Sequence, residues 1–540
     1  MAKRQEGELE KNRIARLYQA GLDYQNRIGL RRKIPMYVDF YEGKQWPSST
    51  ESTKNLPRPV INIVKMICRS KKSAILATPA KIIYKSYSPK TNVERLRSFA
   101  ESVLCELGQD MLDKNAIDDG VKKGSYFYHY YWDKDAIGLN GEIEGGVRCE
   151  LIDPLNIFFE NPSELDEQRQ KWIIISTRMD VESARALCDS DVDKSLVLPD
   201  DSLDEYGEDK EDGRVTVLTR YFRENGEVLC ERATEKVVIN KPFSITPNLS
   251  EFEGECACFT KKRRATLYPV VAGYYERRQG CIYGLSEVEG IIPNQKAINF
   301  NIAMSLFNAQ QCAWGKYIAM PNALKGQKIS NVPGQVLIDH SGTGEGIKKM
   351  PEQILNEVPM RLSEAIVELT KNTTGASEVF TGEAYASLSG AAISQLQAQA
   401  QVPIEDLKST FYNVKRKQGL VLLQFLRLYY CQREFIKKCV DENGSAYEVT
   451  DVFSSRDYEN SVFSVSVEAL GGSRASVASD ISLLETCLKN GSISIETFIN
   501  AYPSSAISNK DELLRQIKKE RESELTRLKE RLRKYEEVKE

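Results

Sequence analysis

The chain has 540 residues, 28% of them charged, and its 74 Lys and Arg against 77 Asp and Glu leave a formal charge of −3. That length implies several domains or one elongated multi-part fold, because single cores stop growing well below it, and the near balance of charge excludes a globally basic nucleic-acid binder. A mean hydropathy of −0.42, apolar runs that stay short of the roughly 18 residues of a membrane span, and the charged start MAKRQE predict a soluble, cytosolic chain with no membrane segment and no signal peptide.

Glu6 to Arg32 carries an imperfect helical stripe of Leu9, Ile14, Leu17, Ala20, Leu22 and Tyr24. Pro57 and Pro59 lead into a predicted helix over Val60 to Ala77, after which Pro79 switches the chain to a short strand, Lys81 to Tyr87. Glu94 to Asn115 reads as helix again. From Gly124 to about Ile245 the period changes to two, with strands predicted at Tyr126 to Trp132, Gly146 to Ile152, Trp172 to Arg178, Arg214 to Arg223 and Glu227 to Glu231. The fold class is therefore α+β.

Two charged stretches interrupt this body. Asp200 to Asp212 is too acidic to pack and is read as a solvated outer loop or, alternatively, a docking tag. Thr260-Lys261-Lys262-Arg263-Arg264, followed by Arg277-Arg278, suits an inter-subunit salt-bridge strip better than phosphate binding, because no aromatics are interleaved with it.

Next come two long predicted helices, Ser286 to Ala313 and Pro351 to Thr374. They bracket a compact insert with turn formers Pro321, Gly326, Pro333 and Gly334 and a strand-like Gln335 to Ile338. A soft loop, GASEVFTGEAYASLSG from Gly375 to Gly390, leads to helix over Ala391 to Val402, a kink expected at Pro403, and helix again over Ile404 to Lys438. Strands follow at Ala446 to Phe453 and Ser461 to Glu468. The remainder from Ala475 is read as helical, with Leu525, Leu528, Leu532 and Tyr535 in 3-4-3 spacing on a charged helix.

Catalytic material is scarce. The chain has two histidines, His129 and His340, so a histidine metal centre, a Ser/His triad or a Cys/His dyad has almost nothing to work with. Its twelve cysteines include no Cys-x-x-Cys pair and are read as reduced, mostly buried thiols. No Gly-x-x-x-x-Gly-Lys-Ser/Thr occurs, and Gly342-Thr343-Gly344-Glu345-Gly346 reads as a turn between strands. We therefore assign no catalytic residue, no metal ligand and no cofactor.

One further set of residues points to a family. Trp46 after Tyr-Glu-Gly, Leu56-Pro57-Arg58-Pro59-Val60-Ile61-Asn62-Ile63-Val64, Asp153-Pro154-Leu155-Asn156-Ile157-Phe158, Arg277 with Tyr283-Gly284-Leu285-Ser286, and Gln295-Lys296-Ala297-Ile298-Asn299 resemble, in that order, the portal proteins of tailed bacteriophages. The resemblance runs from about residue 35 to 470. It implies a portal fold: an α/β wing over 1–280, a first stem helix within 281–313, a small α/β clip over 314–350 and a second stem helix over 351–374. A tunnel loop over 375–390, a long kinked helix with return strands of the wing over 391–471, and a helical crown over 472–540 complete it.

The resemblance further implies a ring of about twelve copies at a capsid vertex of the virion, assembled in the host cytoplasm. Its partners would be itself, double-stranded DNA, the terminase large subunit, a head-tail adaptor, and the major capsid and scaffold proteins. Ser377, Glu378, Phe380, Thr381, Glu383 and Tyr385 would face DNA in the tunnel loop, and Lys316, Tyr317, Asn322, Lys325, Lys328 and Asn331 would dock the motor or adaptor. In the stem, Asn294, Asn301, Asn308 and Gln311, with Asn299 and Gln310, form a row of amides expected to face neighbours or water without gripping phosphate. Two other classes stay open: another virion structural protein, such as a neck adaptor or scaffold, and a packaging enzyme, for which no metal-ligand order or phosphate loop is apparent.

Overall fold

A computed structural model describes residues 2–51, 54, 56–88, 91–138, 141, 143–200, 213–247, 264–313, 317–320, 323–328, 338–340, 342, 345–349, 357–375, 390–440, 446–459, 461–469, 483–501 and 516–517. The fold is mixed α and β. In chain order, α1 (Ala2–Arg27), α2 (Leu30–Glu42) and α3 (Ile63–Leu76) precede β1 (Ala80–Ser86), α4 (Val93–Glu106) and α5 (Gln109–Lys123). Then come β2 (Ser125–Asp133), β3 (Gly146–Ile152), β4 (Ile157–Phe159), β5 (Trp172–Asp180), α6 (Val181–Ala186), β6 (Arg214–Glu224), β7 (Glu227–Ala233), β8 (Val238–Ser244) and β9 (Val270–Tyr274). After these follow α7 (Glu287–Ala313), β10 (Tyr317–Ala319), β11 (Ile347–Lys349) and α8 (Val358–Thr373). Helix α9 (Gly390–Tyr429), β12 (Gln432–Val440), β13 (Ala446–Ser454), β14 (Phe463–Ala469) and α10 (Ile495–Ala501) close the series. The chain divides into two compact units, one of Met1–Arg32, Lys72–Leu285 and Ala384–Glu540, the other of Lys33–Lys71 and Ser286–Glu383.

The first unit is built on two antiparallel sheets. In the smaller, ordered β3-β2-β9, the central β2 is buried on both faces, which is why its sequence runs Tyr126-Phe127-Tyr128 without alternating. One face of β2 turns the Tyr128 hydroxyl 2.9 Å from Asp113 of α5, and Asp113 is also ion-paired with Lys415 of α9. That carboxylate is almost fully buried, so the lysine and the bonds from Tyr128 and Gln109 replace the water it lost. The other face packs Phe127 against Phe159 and Tyr283. His129 is buried with its ring nitrogens 2.9 Å from Glu150 and 2.9 Å from the Tyr221 hydroxyl.

The larger sheet runs β4-β5-β6-β7-β8. Ile14 and Tyr18 of α1 cover one face through Phe158, Ile174 and Leu218, while Ala184 of α6 covers the other through Val215, Val217 and Ile239. Period-two alternation along β6 sends Val215 and Val217 to one side and Leu218 to the other. Asn225 and Gly226, both at positive φ (50° and 79°), join β6 to β7 in a two-residue hairpin turn of the kind Asn-Gly favours. Strands β12 and β13 form a separate hairpin, and β1 pairs with β14.

Three expectations change. The helix read as Ile404 to Lys438 ends at Tyr429, and 432–440 is strand β12, paired over its whole length with β13. The dense apolar run before Tyr429 masks this switch, but Phe435 is buried against Phe99, a tertiary contact that decides the local state. Glu94 to Asn115 is two helices, α4 and α5, parted at Gly108 with φ of 61°. Among the described residues eight cysteines are free thiols, of which Cys68, Cys230 and Cys281 are buried and the other five partly or fully exposed, and Cys431 is disulfide-bonded, a departure from the expected reduced, mostly buried thiols. Among the described residues no helix is long and apolar enough to cross a membrane. Leu525, Leu528, Leu532, Tyr535 and most of the acidic and basic stretches lie outside the described residues.

Candidate functional site

The second unit carries the helix–insert–helix succession that stands out in the sequence. Helix α7 has 27 residues, about 40 Å at 1.5 Å per residue, and α8 has 16. Asn294, near the start of α7, donates a 3.0 Å hydrogen bond to Thr370, near the end of α8, so the two run antiparallel. Helix α8 carries apolar residues on its covered side, where Ile366 and Val367 are half-buried beside Ser363 and Thr370, and a second apolar stripe in the open. Thr370 and Ser363, seven residues apart on one face, are 1% and 4% exposed, whereas Val358, Leu362 and Leu369, at i, i+4 and i+11 on another face, are 66%, 50% and 62% exposed. Phe300 and Met304 likewise share an exposed side of α7.

At the base of α7 the amides point inward. Gln295 and Asn299, one turn apart, are buried, and the Gln295 carboxamide oxygen accepts from the backbone of Ile63 at 2.9 Å and Val64 at 3.3 Å, capping the first turn of α3. Its nitrogen donates to the Ile61 carbonyl at 2.7 Å and to Asn299 at 3.0 Å. Asn299 passes the chain on to Gln45 at 2.6 Å, and Gln45 donates to the Phe40 carbonyl at 2.7 Å. Trp46 donates to the Pro59 carbonyl at 2.9 Å. The sequence blocks around Trp46, Val60 to Val64 and Gln295 to Asn299 are thus one hydrogen-bonded cluster. Asn299 does not face a neighbour or water: the first unit of amide spacing on this helix serves the protomer's own fold. Replacing Gln295 with alanine strands two helix N–H groups and should cost about 2–3 kcal/mol; calorimetry is expected to show a lowered transition for this unit, with slowed α3 hydrogen exchange lost.

Between α7 and α8, β10 and β11 pair antiparallel, Tyr317 opposite Lys349 and Ala319 opposite Ile347. Ala323 is fully buried beneath a turn in which Lys325 holds φ of 37° and Gly326 of 87°. Gln327 ties that turn to Ile338 at 3.1 Å and sits 3.1 Å from the His340 ring. Ile318, Met320 and Ile338 are exposed.

Of the expected site residues, Lys325 and Lys328 are exposed on this tip, and Tyr317 lies on β10. Lys316, Asn322 and Asn331, and all six of Ser377, Glu378, Phe380, Thr381, Glu383 and Tyr385, lie outside the described residues. Asn294, Asn301, Asn308 and Gln311 are all on α7; Asn294 binds Thr370, and Asn308 accepts from Cys312 at 3.3 Å within the helix. Helix α8 begins at Val358 with Glu357 at its N-cap, and residues 351–356 of the predicted second helix lie outside the described residues. Among the described residues no group of three or more His, Cys, Asp or Glu is placed to hold a metal ion.

The other resemblance blocks meet in the first unit. Asp153 accepts from the Leu155 backbone at 2.8 Å and from Lys123 at 2.8 Å, fixing the turn into β4. Tyr283 donates to the Ile157 carbonyl at 2.6 Å, and the Gly284 N–H donates to Ser125 Oγ at 2.7 Å. Gln25 of α1, whose part sequence reading missed, joins the Pro154 and Ile157 carbonyls and the Tyr283 hydroxyl at 3.2–3.3 Å.

Comparison with known families is decisive here: the family model described as Phage P22-like portal protein matches residues 114–457, well over half of the chain. The chain belongs to this portal family. The match takes in β2 to β13, the α7–α8 pair and its small sheet. Residues 1–113 and 458–540 lie outside it, and no curated protein matches the chain. As a portal protein it has a structural place at the capsid vertex of a tailed-phage virion, in the packaging and connector apparatus.

Proposed function

We propose that about twelve copies close into a ring at one capsid vertex, conduct double-stranded DNA in packaging and ejection, and dock the terminase large subunit and then a head-tail adaptor. In this reading the ring also meets the major capsid and scaffold proteins, assembles in the host cytoplasm, and performs no catalysis. Residues 1–280 and 391–471 form the wing, 281–313 and 351–374 the stem, 314–350 the clip, 375–390 the tunnel loop and 472–540 the crown. The observation that carries it is the exposed apolar stripe of α8. A helix that covers one side within the protomer and leaves a second stripe of Val358, Leu362 and Leu369 exposed has a partner for that stripe in another molecule, and a head-to-tail contact that closes makes a ring.

The polar composition suits a conduit. Tight, desolvated Arg–phosphate pairs along a path would each trap the duplex, and α7 offers amides in place of guanidinium groups along its length. Lys316, Tyr317, Asn322, Lys325, Lys328 and Asn331 are proposed for docking, and Ser377, Glu378, Phe380, Thr381, Glu383 and Tyr385 for the DNA-facing loop.

A reconstituted packaging assay tests the function. The purified protein is expected to hydrolyse no ATP and to support DNA entry once a separate motor ATPase is added. Deleting Ala323 to Gly334 should leave the wing folded and abolish motor binding. Sustained ATP turnover by the protein alone, or undiminished motor binding by intact rings of the deletion variant, contradicts the reading.

A further inference from the structure

We propose that the α7–α8 pair joins neighbouring copies through two different faces, a pairing that rests on the ring reading above. Phe300, Met304, Leu362 and Leu369 on one side of the pair receive Leu306 and Met360 from the opposite side of the next copy. The surface that covers the exposed stripe of α8 is thus a second, distinct face of the same two helices.

The first face follows from helix geometry. Asn294 on α7 and Thr370 on α8 meet at 3.0 Å and mark the direction in which each helix faces the other. At 3.6 residues per turn each step rotates by about 100°, so Phe300 and Met304 stand about 240° and 280° beyond Asn294, while Leu369 and Leu362 stand at about 260° and 280° relative to Thr370. Because the helices are antiparallel, equal offsets from the contact line point to one side of the pair. Heights agree as well: at 1.5 Å per residue Phe300 and Leu362 lie within about 3 Å of each other along the axes. All four side chains are exposed, Phe300 at 52% and Leu362 at 50%.

Leu306 and Met360 lie across from that face. By the same count they fall about 120° from Asn294 and about 80° from Thr370, on the other side of the pair and about 3 Å apart in height. They are 44% and 59% exposed. One helix pair therefore offers apolar surface to water on both sides.

The mode of pairing follows from that arrangement. A two-fold contact sets one face against its own copy and leaves the other side of every chain in water. A head-to-tail contact between the two faces covers both sides of every chain once the ring closes, and neither patch remains exposed.

The test is disulfide trapping in the assembled full-length protein. Met360→Cys and Leu362→Cys are made singly and together; two residues apart on one helix and turned to opposite sides, they cannot bridge within a chain. Mild oxidation of the double variant is expected to give a ladder of linked chains on a non-reducing gel, ending at the closed ring, while each single variant links no more than wild type with its native cysteines. A charge pair decides the matter if the cysteines disturb assembly. Leu362→Glu and Met360→Lys are each expected to lower the yield of rings about tenfold or more, and to regain most of it when combined in one chain, where every contact sets a carboxylate beside an ammonium. Linkage by Leu362→Cys alone shows the face meeting its own copy and overturns the proposal. An unlinked double variant in intact rings overturns it too, as does a charge pair that assembles no better than its worse member. Those results leave the ring reading standing if wild type forms rings, whereas wild type that forms none defeats both.

Discussion

A Leu362→Glu, Leu369→Glu double variant is expected to fold and to remain unassembled. Both side chains lie on the outward face of α8, 50% and 62% exposed, so the protomer's own core loses nothing when they change. In the proposed ring the same leucines are buried by the neighbouring copy, each contributing about 2 kcal/mol, and two carboxylates in their place add the cost of desolvating charge. The variant should elute as a protomer on size exclusion while its circular dichroism and thermal transition match those of dissociated wild type. Rings of unchanged size from this variant would show that α8 faces solvent or DNA rather than a neighbour.

Gly284→Ala is expected to be among the most damaging single methyl additions in the chain. A Cβ at this position comes under 3.0 Å from two backbone oxygens, those of Gly124 and Glu276, and backbone has no rotamer into which to retreat. The same stretch bonds Gly284 to Ser125 and Leu285 to the Glu276 carbonyl at 2.8 Å, so relief of the clash breaks the bonds that hold β2 to the following turn. A loss above about 4 kcal/mol follows, seen as a collapse in soluble yield and in the transition of the first unit. Gly290→Ala is the control: it lies within α7 with nothing close to its absent Cβ, and a gain of about 0.5–1 kcal/mol is expected there. Equal behaviour of the two variants would refute the packing argument.

Legibility in the sequence followed the range of the forces involved. Strands β3, β5, β6 and β7 were readable because each has a face in water or a turn signal beside it, whereas β9, the five-residue Val270–Tyr274 buried along most of its length, shows no alternation to read. Strand β12 was hidden by the apolar helix before it, since its state depends on pairing with β13 and on Phe99, neither of them local. The helix pair around a small insert was visible in outline, and the family followed from the order of its sequence blocks. What those blocks do was not visible. Asn299 reads in sequence as one of a row of α7 amides facing a neighbour or water, and only the convergence of Gln295 and Asn299 with Gln45 on the start of α3, more than two hundred residues before α7 in the chain, shows it to be a buried tie. The exposure of Val358, Leu362 and Leu369 on α8 was equally illegible, because periodicity reveals that a helix has an apolar face and says nothing about which molecule covers it.

The ring is the central claim, and the mass and symmetry of the purified, full-length wild-type protein test it most directly. At 61.1 kDa per chain, closure of about twelve copies predicts a particle of roughly 730 kDa, seen in negative-stain images as an annulus with an open axial channel and about twelvefold symmetry. A protein that stays a monomer or dimer at micromolar concentration, or that builds open filaments with no closed ring, would contradict the account.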